Sequence, residues 1–189
     1  MYKINMINYF HLKNKSKNVQ YAAQHYLVPF RDLLKKETKW YWDDVLQKLF
    51  EEARKKIAEE VFAGLEWYDV NKWTAVLTDY SKAGLGFIMT QKHCSCKKIH
   101  PLCCEGGWKV CMVGISFLVP AESRYSRVEG ELLGVVNALH KTRYYTQGAE
   151  KLIIGTVHKP LLGVLDKSME LIDNPRLQRL AQKTLSWNF

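Results

Sequence analysis

The stretch "KWTAVLTDYSKAGLGFIMTQ" (Lys72–Gln91) decides the fold. Before Trp67 the apolar residues follow a helical period; here that period ends. Two apolar runs, "KWTAVLTDYS" and "GLGFIMTQ", read as strands around a tight "SKAG" turn. Downstream lies a loop, "HCSCKKIHPLCCEGG" (His93–Gly107), and then a third strand, "WKVCMVGISFLV" (Trp108–Val119). Pro120 is expected to open a long helix ending near Gly148, with Val128, Leu132, Val135, Val136 and Leu139 on one apolar stripe. "KLIIGTV" (Lys151–Val157) reads as a fourth strand. A helix between the third and fourth strands is what a parallel crossover requires. Short helices are expected from Pro160 and after the Asn174-Pro175 break.

Upstream, "KKETKWYWDDVLQKLFEEARKKIAEEVF" (Lys35–Phe62) has Val45, Leu49, Ala53 and Ile57 four apart, with Leu46 and Phe50 beside them. That spacing predicts one apolar helical face. Asp43 or Asp44 is placed to cap its start, and Gly64 to end it. The tetrapeptide "YWDD" (Tyr41–Asp44) imitates the metal-binding hairpin of reverse transcriptases. An amphipathic helix follows at once, so the pair reads as a helix start. The first 35 residues are basic and mixed, with weak helical spacing from Tyr21 to Leu34.

The net charge of +9 favours an anionic partner, nucleic acid above all. No stretch has the apolar length of a membrane span, and the N-terminus lacks a signal-peptide run, so an intracellular protein without membrane contact is expected. All 5 cysteines lie between Cys94 and Cys111, which suits free thiols or a metal better than a disulfide framework.

Two carboxylates stand out. Asp79 closes the first strand, before the turn. Glu131 sits on the flank of the helical stripe, where it would point toward the sheet and could meet Asp79; Glu129 is expected to turn away into solvent. Together Asp79 and Glu131 suggest a Mg²⁺ site. In the loop, Cys94, Cys96, Cys103 and Cys104, with His93 and His100, could supply Zn²⁺ ligands. The spacing is not the usual paired gap and Cys103 and Cys104 are adjacent, so a loop without zinc is expected.

The segments "LTDYSKAGLGFIMTQ", "PAESRYSRVEGELLGVVNALHKTRYYTQG", "HKPLLGVL" and "NPRLQRLAQKTLSWNF" together resemble the ribonuclease H domain of gypsy-like LTR retrotransposon polyproteins. More loosely, residues 1–35 resemble the end of a reverse transcriptase thumb and 36–66 a connecting helix, leaving 67–189 as the ribonuclease H-like domain. The resemblance implies an α/β fold, a five-stranded mixed sheet with flanking helices, here truncated at its C-terminus and preceded by a small helical segment. It also implies hydrolysis of RNA in RNA–DNA hybrids by two Mg²⁺ ions on four acidic residues. The first two acids fall on Asp79 and Glu131. The third falls on Val157, because the chain reads "TVHKPL" where the family has "TDHKPL"; the fourth would lie beyond Phe189. Tyr80 replaces a small family residue.

Two retained carboxylates imply weak binding of at most one Mg²⁺. The leading expectation is therefore a ribonuclease H-like domain with hydrolysis lost or severely reduced and nucleic-acid binding retained. An active or partner-completed ribonuclease H and a zinc-binding interaction module are the alternatives. The fourth strand would be an apolar edge, open to a partner strand or a second copy.

Overall fold

The hairpin predicted at Lys72–Gln91 is present and forms the centre of a mixed sheet. The computed structural model describes residues 29–30, 32–62, 65–82, 84–101, 103–104, 106–156 and 158–189, with 57 and 60–62 by their backbone alone. Strands β1 (Thr74–Tyr80) and β2 (Gly84–Lys92) pair antiparallel, from Thr74 opposite Gln91 to Tyr80 opposite Leu85. Ser81 closes the turn: its N–H donates to the Gly84 carbonyl at 2.9 Å, and its hydroxyl accepts from the Gly84 N–H at 3.2 Å. Strand β3 (Trp108–Phe117) pairs antiparallel with β2, with a register slip between Met89 and Thr90. Strand β4 (Leu152–Thr156) runs parallel to β1, Thr78 opposite Thr156. The order is β3-β2-β1-β4, and β1 is β4's one strand partner among the described residues.

The described residues fall into two units that part between Leu65 and Glu66. In the first, helix α1 (Asp44–Phe62) starts at Asp43, whose carboxylate accepts the Leu46 N–H at 2.8 Å. "YWDD" is thus a helix cap, as its flanking sequence required. The buried line differs from the expected one. Leu46 and Ala53 are buried, whereas Val45 is 66% exposed, so the inward face is rotated by about one residue. Phe50 instead meets the Trp42 ring edge-on at 5.9 Å, and Trp42 stacks on Trp40. Gly64 and most of Tyr21–Leu34 lie outside the described residues.

In the second unit, helix α2 spans Arg127–Lys141 and does not begin at Pro120. A short 3₁₀ turn at Glu122–Arg124 intervenes. The reason is local: Ser126 and Glu129 form a reciprocal capping box, the side chain of each bonding the other's backbone N–H. The helix stops at Lys141 rather than near Gly148; at this point the Thr142 hydroxyl turns back onto the Ala138 carbonyl at 2.8 Å, a bond that bends helices. A four-residue helix α3 (Arg143–Thr146) follows, and Gly148, at φ 77°, turns the chain into β4. Helices α4 (Lys159–Leu165) and α5 (Pro175–Gln182) each carry proline in the first turn, and the Asn174 side chain caps α5 by accepting from the Arg176 and Leu177 N–H groups.

The stripe of α2 makes the core. Leu132, Val135, Ala138 and Leu139 are fully buried against Val76 of β1, Phe87 and Met89 of β2, and Leu152 and Ile154 of β4. Leu161 of α4 and Leu180 and Ala181 of α5 close the same cluster. Each buried Leu or Val contributes about 1.5–3 kcal/mol relative to exposure. This packing holds the first turns of α2 over the C-terminal end of β1.

Candidate functional site

At that end of the sheet, Asp79 and Tyr80 are the last residues of β1 and only partly buried. Gly130 of α2 lets the helix approach, whereas Gly134 passes over the sheet at ordinary contact distance. A Cβ at Gly130 would stand 2.3 Å from the Tyr80 ring, and one at Gly134 would stand 3.9 Å from the Asp79 carbonyl. Glu131, one residue past Gly130, is completely buried, and the Arg127 Nε lies 3.8 Å from its carboxylate. Asp79 and Glu131 therefore occupy the same end of the unit. Tyr80 lies between the helix and the sheet, its hydroxyl buried without a hydrogen-bond partner among the described residues. Burial, then the charges of Glu131 and Glu129, push its pKa above the phenol's usual value.

Glu129 corrects the expectation of a solvated residue. It is buried; it bonds the Ser126 N–H at 2.8 Å, the Asn174 amide at 3.2 Å and the Arg176 guanidinium at 3.0 Å. Burial would raise its pKa, but these hydrogen bonds outweigh it and hold the carboxyl below its usual range. Glu129 thus ties α2 to α5, and its oxygens are committed. The signal was readable: Ser126-x-x-Glu129 is a capping box in the sequence.

Position 157 lies outside the described residues. Its neighbour His158 occupies the N-cap position of α4 without a side-chain capping bond; its Nε2 is buried without a hydrogen-bond partner among them, and burial followed by the charge of Arg127 lowers its pKa. Around this end, Lys82, Arg124, Arg127 and Lys159 are all exposed, a basic rim beside the two carboxylates.

The opposite end of the hairpin holds the cysteines. The sulfurs of Cys94, Cys96, Cys103 and Cys104 all lie within 4.8 Å of one another. This overturns the ground for expecting no metal there, since the loop's path converges the thiols despite their irregular spacing. Thiol hydrogen bonds from Cys103 and Cys104 bring the Cys96 pKa down to about 6, and the hydrogen bond with Cys96 pushes Cys104 up to about 12. The two histidines do not join them. His93 Nδ1 faces the Lys72 ammonium at 3.4 Å, and His100 Nδ1 lies beside the Pro101 carbonyl.

Comparison with known proteins decides the family. The profile of the RNase H-like domain found in reverse transcriptase matches residues 69–186. The chain belongs to this family. The chain is also similar to the Tf2-3 and Tf2-4 transposon polyproteins of Schizosaccharomyces pombe, 26% identical over 162 residues in each case. That alignment covers 85% of this chain, and the chain spans 11% of the length of those relatives. Among solved structures, the foamy viral protease-reverse transcriptase dRH in complex with double-stranded DNA superposes with a TM-score of 0.56 at 13% identity, over 86% of this chain and 27% of that one. The native prototype foamy virus protease-reverse transcriptase gives 0.51 at 13% identity, over 95% and 22%. Both likenesses bear on the fold, which is the mixed α/β arrangement the sequence predicts. No helix among the described residues is long and apolar enough to cross a membrane.

The RNase H-like family implies Mg²⁺. Two such ions need a clamp of several carboxylates. Here Glu129 is committed to α5, Arg127 brings a positive charge to Glu131, and position 157 is Val. Among the described residues, the four cysteines are the one set of three or more ligand-type side chains close enough to share an ion. Among the described residues, Asp79 and Glu131 at the end of β1 are joined by no third ligand-type side chain close enough to share an ion with them.

Proposed function

We propose that this chain is the RNase H-like part of a retrotransposon reverse transcriptase that holds RNA–DNA hybrid while its hydrolytic activity is lost or severely reduced. One feature of the sequence carries the reading: Val157 stands where the resemblance puts the family's third acid, after Asp79 and Glu131 at the first two. Valine in place of that carboxylate removes a negative charge from the clamp on two dications, and the attacking and leaving oxygens are then not both steadied. The basic rim of Lys82, Arg124, Arg127 and Lys159 supports retained phosphate contact. Residues 1–35 and 36–66 are then a thumb remnant and a connecting segment. The side of β4 away from β1, which has no strand partner among the described residues, would admit a partner strand or a second copy; a chain that sediments as a monomer at all concentrations counts against the second copy.

A labelled RNA–DNA hybrid incubated with Mg²⁺ or Mn²⁺ tests the activity. The expected result is no cleavage above background for the chain, with cleavage gained on Val157→Asp if that position alone silences it. Cleavage by the unaltered chain that disappears on Asp79→Asn overturns the proposal. Hybrid affinity should fall steeply with salt, by a slope of about 0.7–0.9 per phosphate contact in logarithmic units. A salt-independent affinity contradicts the basic rim's role.

A further inference from the structure

We propose that Cys94, Cys96, Cys103 and Cys104 form a structural zinc site that locks the β2–β3 loop. Three of the sulfur separations are 3.5 Å (Cys94 to Cys96), 3.5 Å (Cys94 to Cys103) and 3.2 Å (Cys96 to Cys103), and none of the cysteines is in a disulfide. A tetrahedral ion with Zn–S bonds of about 2.3 Å has sulfur-to-sulfur edges of about 3.8 Å. The four thiols are thus near ligand spacing, and small side-chain movements complete the tetrahedron.

The backbone is shaped to this convergence. Gly106 takes the left-handed conformation at φ 66°, and Gly107 follows as the contact point. A Cβ on Gly107 would lie 2.9 Å from the Cβ atoms of both Cys94 and Cys104, and 3.0 Å from the Cys94 sulfur. A side chain there would displace two ligands. The Gly107 carbonyl also accepts the N–H groups of His93 (2.8 Å) and Cys94 (3.2 Å), which closes the loop's base. The buried Trp108 donates its indole N–H to the Cys103 sulfur at 3.3 Å, an outer contact that favours a thiolate. Lys92 bonds the Cys96 carbonyl, and Lys97 and Lys98 are exposed in the loop. These ammonium groups balance the negative charge that four thiolates leave around one dication.

The donor set names the ion class. Thiolates select zinc over magnesium, calcium or manganese. Four protein ligands leave no open position, so the site is structural and not catalytic. Each ligating thiol gives its proton to solvent as the metal binds. Cys111 stays outside the set, its thiol turned to the Gln91 side-chain oxygen at 3.7 Å. The site lies at the end of the hairpin remote from Asp79, so its effect is on loop order.

The full chain, reduced and stripped with a chelator, would be titrated with Zn²⁺ and, as an optical probe, Co²⁺. The expected result is one zinc per chain, a tetrahedral cobalt–thiolate spectrum, and near-complete loss of both in the Cys94→Ser, Cys103→Ser double variant. Cys111→Ser should keep the full stoichiometry. The unaltered chain gives a second readout that needs no variant to fold. Tryptic cutting after Lys97 and Lys98 should slow about a hundredfold when free zinc stands about a hundredfold above its dissociation constant. Absence of zinc from the reduced chain, iron in its place, full zinc retention by the double variant, or loop cleavage unchanged by zinc would each overturn the assignment.

Discussion

At the residue scale, Gly130 and Glu129 show how closely α2 is fitted to the sheet. Alanine in a helix is normally about 1 kcal/mol better than glycine. At Gly130 the added methyl meets the Tyr80 ring, and overpacking of this kind costs about 1–3 kcal/mol. Gly130→Ala should therefore destabilise the chain, yet stabilise it by up to about 1 kcal/mol in a Tyr80→Ala background. Denaturant titration of the four proteins measures this; an unchanged effect in both backgrounds would show that the ring does not set the fit. Glu129 makes an opposite kind of prediction, one of pH. Its folded pKa lies below the usual carboxylate value, so its stabilisation is fully present above that value. It is lost as pH falls through the folded pKa. Glu129→Gln should lower stability at neutral pH by about 1–3 kcal/mol and flatten the acid limb of the melting temperature against pH. Equal slopes for the two proteins would refute the clamp.

At the element scale, the sequence announced most elements but not their limits. The hairpin, the α2 stripe and both proline-started helices were legible because periodicity and turn chemistry are local. The start of α2 was misplaced because Pro120 is a good helix-opening residue, whereas the Ser126–Glu129 box, six residues on, satisfies more backbone donors. Ser126→Ala should cost about 1 kcal/mol and shift amide protection in the first turn of α2, as hydrogen exchange would register. Equal protection in both proteins would mean that the box does not set the boundary. Of the candidate site, Asp79 and Glu131 could be read as positions. The commitment of Glu129 to Arg176 depends on packing between residues 47 apart, which no local pattern encodes. The convergence of the cysteines likewise depends on a loop path set by Gly106 and Gly107, while their spacing argued against it.

At the scale of the whole molecule, the parallel pairing of β1 with β4 has a kinetic consequence. Thr78 and Gly155, bonded across that pair, are 77 residues apart in the chain, while β1, β2 and β3 follow one another. Bringing such distant segments together carries a loop-closure entropy cost before any contact rewards it. The hairpin strands can assemble early, with the β4-facing edge of β1 still bare, and this inner strand of the sheet is for a time a terminal one. Pulsed hydrogen exchange during refolding should find β2 and β3 amides protected before those of β4; simultaneous protection would mean a single concerted step. Until β4 arrives, Val76 and its neighbours form an apolar strand margin with free backbone donors and acceptors. The interval between the two events sets how long a growing or refolding chain can be captured by another copy of itself.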